Sequence, residues 1–161
     1  MNPNALKDLL VILSTSNVRF LVVGGIAVEL CGYARATFDL DLIIDHAPDN
    51  VAAFLKAIQG FGEGVATELT PDDFDLTEGR ISINEAELQI DVFTIMGGRT
   101  YHDLLPFLAH HHSIESDPPI PHLNASGLIL LKSCSVRPKD QMDVQALRDL
   151  LSITPDAVTK K

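Results

Sequence analysis

Two aspartates spaced two residues apart are the part of this sequence best suited to chemistry. Asp39 and Asp41 interrupt an apolar run, FDLDLII, that is typical of a buried strand. Successive strand residues point to opposite faces, so both carboxylates should project from one face while Leu40 and Leu42 enter a core. Two carboxylates held this close repel each other unless a cation lies between them. Oxygen ligands of this kind suit Mg²⁺.

A third carboxylate, Asp91, lies within a later strand-like run, LQIDVF. An aspartate inside a strand needs a reason, because strand positions disfavour it and burial without a partner is costly. Two explanations are open: Asp91 completes a site with the aspartate pair, or it forms a structural ion pair with Arg35 or Arg80. In the first case three carboxylates can bind two Mg²⁺, roughly 3.5–4 Å apart, for in-line displacement at phosphorus.

A glycine pair precedes the first two aspartates. Gly24 and Gly25 follow a short apolar run, Phe20–Val23, and precede a segment compatible with a helix. Neither glycine has a Cβ, so the backbone can approach a ligand closely, and a helix N-terminus favours phosphate. An ordinary strand-to-helix turn is the alternative. Together with the carboxylates, the pair predicts a nucleotide site.

The elements that must position these residues alternate between helices and strands. Apolar spacing predicts helices after Pro3 and within 51–58, 101–109 (interrupted near Pro106), 127–133 and 142–151. It predicts strands at 20–23, 38–45, 80–83 and 87–95. The last two strands are expected to form a hairpin with its turn at 84–86. This order predicts an α/β (α+β) fold with a mixed sheet flanked by helices. We expect a single domain over residues 1–161, with a core at about 18–115 and C-terminal helices at about 124–152.

Net charge, cysteine content and apolar run lengths narrow the classes of function that this protein can have. The net charge of −10 counts against broad, non-specific binding to a nucleic-acid backbone, although a local basic groove stays compatible with it. Cys31 and Cys134 lie far apart, and we interpret them as reduced thiols of a cytoplasmic protein. We expect no signal peptide and no membrane span, because polar residues interrupt the first segment and no apolar run is long enough.

Three consecutive histidines, His110–His112, look at first like a metal tract. Adjacent residues on a helix do not share a face, and there is no nearby cysteine or second acidic ligand at a zinc-like spacing. We therefore interpret the histidines as a solvated helix end.

The stretch VVGGIAVELCGYARATFDLDLIID, followed by LQIDVF, resembles the nucleotidyltransferase superfamily, which has the DNA polymerase beta-like fold. The family pattern is a hydrophobic run, Gly-Gly or Gly-Ser, an Asp-x-Asp pair, and a third Asp in an apolar strand. The segments RATFDLDL and KSCSVRPKDQMD are most similar to small bacterial nucleotidyltransferases, a branch that includes toxins of abortive-infection (type IV) toxin–antitoxin systems. The resemblance covers roughly residues 20–147.

The resemblance implies roles for the residues that match this pattern. Asp39 and Asp41 would bind both metal ions. Asp91 would complete the site and act as general base toward an acceptor hydroxyl, or help the metal to activate it. Gly24 and Gly25 would contact the triphosphate through backbone N–H groups, since Gly25 stands where the family often has serine.

Several charged side chains near the predicted nucleotide site can be given roles. The resemblance places Lys132 on a helix that lines the nucleotide cleft, where it would contact phosphate or substrate. Arg35 either binds substrate or fixes the loop before the strand. The charged residues Arg137, Lys139, Asp140 and Asp143 are interpreted as holding the last helices together.

The resulting hypothesis is a nucleotidyltransferase that uses two Mg²⁺ ions and moves a nucleoside monophosphate from an NTP to an acceptor. The acceptor stays open among an RNA end such as that of tRNA, a small molecule such as an aminoglycoside, and a protein side chain. The alternative is a catalytically inactive nucleotide-binding or toxin–antitoxin interaction module. A cognate antitoxin protein is the partner that the toxin resemblance implies.

Overall fold

A six-stranded mixed sheet organises the computed structural model, which describes residues 2–112 and 118–153. The strands are β1 (Phe20–Val23), β2 (Asp39–Ile44), β3 (Ile81–Glu85), β4 (Leu88–Phe93), β5 (Ile95–Met96), β6 (Arg99–Thr100), β7 (Leu108–His111) and β8 (Ile120–Leu123). Their order in the sheet is β3-β4-β2-β1-β8-β7, and β5 and β6 form a separate two-stranded ribbon. The pairs β2–β4 and β1–β8 are parallel, whereas β1–β2, β3–β4 and β7–β8 are antiparallel.

The helices are α1 (Pro3–Thr15), α2 (Gly24–Leu30), α3 (Pro48–Gln59), α4 (Tyr101–Leu104), α5 (Ala125–Lys132) and α6 (Pro138–Ile153). Helix α1 packs against α3, and α5 packs against both α2 and α6. Asn2 caps α1, because its side chain accepts hydrogen bonds from the N–H groups of Asn4 and Ala5. Within the described ranges, none of these helices has the length and apolar character needed to span a bilayer.

The core lies along β1 and one face of β2. All four residues of β1 are buried, and Leu40, Leu42 and Ile44 of β2 have no solvent exposure. Because side chains alternate along β2, the opposite face of this strand is free to present Asp39 and Asp41. Burial of β1 and of the leucines thereby fixes the register that aims both carboxylates to one side.

The predicted fold class is confirmed: a mixed sheet is flanked by helices, and the C-terminal part is helical. The predicted hairpin is also present, but its turn lies at Ala86 and Glu87, which both have positive φ angles (50° and 62°). Strand β3 therefore continues to Glu85. The predicted end of the core, near residue 115, lies outside the described residues.

The segment 101–109 is where the prediction was wrong. Only Tyr101–Leu104 is α-helical, a 3-10 turn follows at Leu105–Phe107, and the chain then enters β7. His110 and His111 consequently lie on an edge strand and do not form a helix end. The partner of β7, β8, was not predicted, because Pro121 lies within it and proline cannot donate to a strand ladder.

Candidate active site

Three carboxylates meet where β2 and β4 run side by side. In the parallel register Asp41 lies opposite Asp91, and Asp39 lies opposite Gln89. One carboxylate oxygen from each of Asp39, Asp41 and Asp91 lies within 4.8 Å of the other two. Sequence alternation predicted the first two on one face, and the parallel pairing of the strands brings in the third.

Each carboxylate has its own hydrogen-bond donors. The Thr37 hydroxyl donates to Oδ1 of Asp39 at 2.9 Å. The backbone N–H of Gly25 donates to Asp41. These short-range donors orient the first two carboxylates before any ligand binds.

Asp91 has the fullest set of donors. Its Oδ1 accepts from the Ser82 hydroxyl at 2.6 Å and from the Gln89 amide at 3.4 Å, while its Oδ2 accepts from Arg80 Nη1 at 2.9 Å. The side chain of Asp91 is 1% exposed. Asp91 therefore lies with the other two aspartates and also forms an ion pair with Arg80, one of the two arginines that the second explanation named.

The electrostatics of the group favour a bound cation. The pKa of Asp41 is raised from 3.8 to about 6, first by burial and then by the nearby charges of Asp39 and Asp91, against opposing effects of the Gly25 N–H and Lys132. A divalent cation among the three carboxylates would relieve this repulsion. Three clustered carboxylate oxygens are the donor set that hard cations such as Mg²⁺ prefer, so these residues fit a Mg²⁺ site.

The glycine pair leaves space for the side chains of Asp41, Thr37 and Arg35. Gly24 has a φ of +63°, and a Cβ on it would lie 1.8 Å from Oδ2 of Asp41. A Cβ on Gly25 would lie 2.4 Å from the Thr37 hydroxyl and 2.9 Å from Nη2 of Arg35. Side chains at either position would displace the residues that hold the carboxylates.

Arg35 and Lys132 lie beside the carboxylates and are anchored by helix α6. Arg35 Nη2 donates to Oδ2 of Asp143 at 3.1 Å, and its Nε lies 2.8 Å from Oδ1. Lys132 Nζ lies 2.9 Å from Oδ2 of Asp143 and also donates to Asp140. Both cationic side chains are 13% exposed, and Asp143 is fully buried. Of the four residues predicted to hold the last helices together, Asp140 and Asp143 make such contacts, whereas Arg137 and Lys139 line the cleft in front of the carboxylates.

A cleft of about 500 Å³ opens in front of the carboxylates. This volume falls in the range of small-molecule sites. Five of the chain's 12 lysines and arginines line the cleft, namely Arg35, Arg80, Lys132, Arg137 and Lys139. Its apolar wall consists of Phe93, Met96, Leu128 and Leu131. The cleft thus combines an apolar wall, which suits a planar base, with cations that suit phosphates.

Sequence reasoning missed Ser82 and Gln89, which orient Asp91. A signal for both was present. Gln89 lies two residues before Asp91 and so shares its strand face, and Ser82 lies directly opposite Asp91 in the β3–β4 pair. The pairing of Ser82 with Asp91 follows from a hairpin turn at Ala86 and Glu87, and the predicted turn at 84–86 gives a different register.

The sheet order places carboxylates on adjacent parallel strands beside a glycine turn, within an α/β fold. The sequence matches no protein-family model and no curated protein. Among solved structures, the chain is similar to the lincosamide antibiotic adenylyltransferase LnuA, determined with lincomycin bound, with a TM-score of 0.63 and 14% identity over 93% of this chain and 98% of that one. It is also similar to a Thermotoga maritima protein proposed to be a nucleotidyltransferase, with a TM-score of 0.57 and 14% identity over 93% and 92% of the two chains. At these identities the likeness shows the fold, across nearly the whole chain.

Proposed function

We propose that this protein is a Mg²⁺-dependent nucleotidyltransferase, which moves a nucleoside monophosphate from an NTP to an acceptor and releases pyrophosphate. The observation that carries the proposal is the convergence of three carboxylates to within 4.8 Å at the head of a cleft of about 500 Å³. The fold shared with an adenylyltransferase supports the same class of reaction.

In this proposal Asp39 and Asp41 hold two Mg²⁺ ions, and Asp91 completes the site. The bound ions would neutralise charge on the triphosphate and polarise the α-phosphate. Asp91 would accept the proton of the acceptor hydroxyl, and Ser82 and Gln89 hold its carboxylate in place for that step. Thr37 fixes the carboxylate of Asp39 in the same manner.

The cations of the cleft carry most of the proposed phosphate binding. The N–H of Gly25 already donates to Asp41, and α2 has only seven residues, so the contribution of its N-terminus at Gly24 is modest. Arg35 and Lys132 are held beside Gly25 and Asp41 by buried contacts, which keeps two positive charges at a fixed distance from the metal site. We therefore assign substrate binding to Arg35 and Lys132, with Gly24 and Gly25 in support.

The acceptor stays open among an RNA end, including that of tRNA, a small molecule and a protein side chain. A role as the toxin of a toxin–antitoxin pair, with a cognate antitoxin as partner, is supported by the sequence resemblance of RATFDLDL and KSCSVRPKDQMD. A catalytically inactive nucleotide-binding module is the second candidate. It is favoured by one observation, the ion pair with Arg80 that occupies an oxygen of Asp91.

Calorimetric titration with each NTP, with and without Mg²⁺, tests the proposal. We expect Mg²⁺-dependent binding by the wild type and its loss in an Asp39→Asn/Asp41→Asn double variant. The matched control is Asp8→Asn/Asp72→Asn, which removes two exposed carboxylates and should leave binding unchanged. Transfer of label from an α-labelled NTP into an acceptor pool then separates the enzyme from the inactive module. Absence of metal-dependent binding by the folded wild type contradicts the enzyme proposal.

A further inference from the structure

We propose that Arg80 is an exchangeable counter-charge for the metal site. In the metal-free protein it neutralises Asp91; when the metal and nucleotide enter, it gives up this carboxylate and turns to the phosphates. The inference rests on the proposed function and adds to it an order of events at Asp91.

Arg80 contacts one of the two carboxylate oxygens that Asp91 can offer to a metal ion. Arg80 Nη1 lies 2.9 Å from Oδ2 of Asp91, which also accepts a long hydrogen bond from the Gln89 amide at 3.5 Å, while Oδ1 accepts from Ser82 and from the same amide. Within residues 2–112 and 118–153, this is the one ion pair made by any of the three clustered carboxylates. A guanidinium on Oδ2 and a divalent cation bound to the same oxygen repel each other, so the two compete.

Burial separates Arg80 from the other cations beside the site. Its side chain is 58% exposed, whereas those of Arg35 and Lys132 are 13% exposed and are tied to the fully buried Asp143. The exposed guanidinium regains its hydration when it leaves, so the cost of breaking the pair falls on the buried carboxylate of Asp91. Asp91, at 1% exposure, needs a positive charge at all times, and the incoming metal supplies it.

The remaining contacts allow the exchange without loss of geometry. When Arg80 leaves, Ser82 still donates to Oδ1 of Asp91 at 2.6 Å, so the carboxylate keeps its orientation. Arg80 also lines the cleft, directly before the edge strand β3, and its released side chain remains within this space. The planar fork of a guanidinium matches phosphate oxygens, which gives the released group its next partner.

Mn²⁺ binding provides a readout that does not depend on activity. Free Mn²⁺ is measured by electron paramagnetic resonance during titration of the wild type, Arg80→Gln and Arg137→Gln. Arg137 also lines the cleft but forms no ion pair with the three carboxylates, so Arg137→Gln removes the same charge without the contact. We expect Arg80→Gln to bind Mn²⁺ alone about three- to tenfold more tightly than the wild type, and Arg137→Gln to show a clearly smaller change.

The second half of the experiment uses a non-hydrolysable NTP analogue at saturating Mn²⁺. Here we expect Arg80→Gln to bind the analogue about three- to tenfold more weakly, because the phosphate contact is lost. Tighter metal binding combined with weaker nucleotide binding is the signature of exchange. Arg80→Lys, which keeps the charge and loses the fork, should lie between the wild type and Arg80→Gln in both titrations.

Three outcomes would overturn the inference. Equal effects of Arg80→Gln and Arg137→Gln on Mn²⁺ affinity, or weaker Mn²⁺ binding by Arg80→Gln, would show that Arg80 does not compete with the metal, and the proposed function would stand. Binding of Mn²⁺ by no variant, with or without nucleotide, would overturn the proposed function and the exchange together. Thermal denaturation of each variant verifies that its fold is intact.

Discussion

The ionised carboxylate of Asp41 lowers the stability of the fold when no metal ion is bound. Its pKa is raised from 3.8 to about 6 by burial and by the charges of Asp39 and Asp91. Between these two values the folded state holds a proton that the unfolded state releases. The stability of the metal-free fold therefore falls as the pH rises through this window, and it stays reduced above the folded pKa. A bound cation reverses the effect, which links metal binding to stability.

We expect Asp41→Asn to stabilise the metal-free protein at mildly alkaline pH while abolishing metal binding. The difference between a pKa of 3.8 and one of about 6 corresponds to about 3 kcal/mol, and partial exposure of Asp41 reduces the expected gain to about 1–2 kcal/mol. The gain should vanish at a pH well below 3.8, because Asp41 is then protonated in both states. Urea denaturation with a chelator, at acidic and alkaline pH, measures the free energy of unfolding.

Asp49→Asn serves as a control of opposite sign. Hydrogen bonding to Arg19 lowers the pKa of Asp49, so its contribution to stability is present above its unfolded pKa and is lost as the pH falls. Its replacement should lower stability at alkaline pH. A loss of stability in Asp41→Asn under the same conditions would contradict the proposed repulsion among the three carboxylates.

The residues that could be predicted from the sequence are those whose position follows from local pattern. Asp39 and Asp41 share a face because side chains alternate, and the apolar surroundings of Asp91 marked it as unusual. The ion pair of Asp91 with Arg80 was one of two alternatives, because sequence spacing does not decide which arginine reaches a carboxylate across a hairpin. Structure settles the choice through the β3–β4 register.

At the scale of elements, helix α6 supplies the carboxylate that holds two cations of the cleft in place. Asp143 on α6 holds Arg35, which lies 108 residues away in sequence, and also Lys132 at the end of α5. No local pattern encodes this long-range contact. Strands β7 and β8 escaped prediction for a related reason: they are short, Pro121 interrupts the usual strand signal, and β8 gains its place by pairing with β1. By contrast, the β1–α2–β2 unit was predictable, since it combines a strong apolar pattern with a glycine turn.

We expect Asp143→Asn to destabilise the fold and to loosen nucleotide binding together. The substitution leaves Arg35 without its buried counter-charge, and breaking such a pair typically costs about 3–5 kcal/mol. Lys132 keeps Asp140 and should stay partly ordered, so we place the loss at about 2–4 kcal/mol. Urea denaturation and calorimetry with Mg²⁺ and NTP measure the two effects.

Asp149→Asn is the matched control for Asp143→Asn. Asp149 lies on the same helix, is exposed, and accepts a hydrogen bond from Gln145 in the adjacent turn. Its replacement should change the free energy of unfolding by less than about 0.5 kcal/mol. Equal stability of Asp143→Asn and Asp149→Asn would show that α6 does not hold the cations of the cleft. If Asp143→Asn were destabilised but bound nucleotide normally, Asp143 would have a structural role alone.

At the scale of the whole molecule, charge is distributed unevenly. The chain carries a net charge of −10, yet five of its 12 lysines and arginines line one cleft. The same cleft also holds Asp39, Asp41, Asp91 and Asp140, so its formal charges nearly balance, and a divalent cation on the carboxylates would make it attractive to anions in a chain that is otherwise acidic. This distribution fits a ligand that enters the cleft whole, such as a nucleotide, better than one that follows an extended surface.

The charge distribution leads to a prediction about RNA. A single-stranded RNA of about 20 nucleotides at about 0.15 M salt should bind more weakly than about 10⁻⁴ M, because few phosphates can contact cations at once. If an RNA end is the acceptor, a full-length tRNA and a short oligonucleotide with the same terminal sequence should bind with similar affinity, since the cleft holds the end only. Fluorescence anisotropy over a range of salt concentrations measures both. Micromolar binding with a steep salt dependence would contradict this, and would show that several phosphates are neutralised along a basic path that continues outside the cleft.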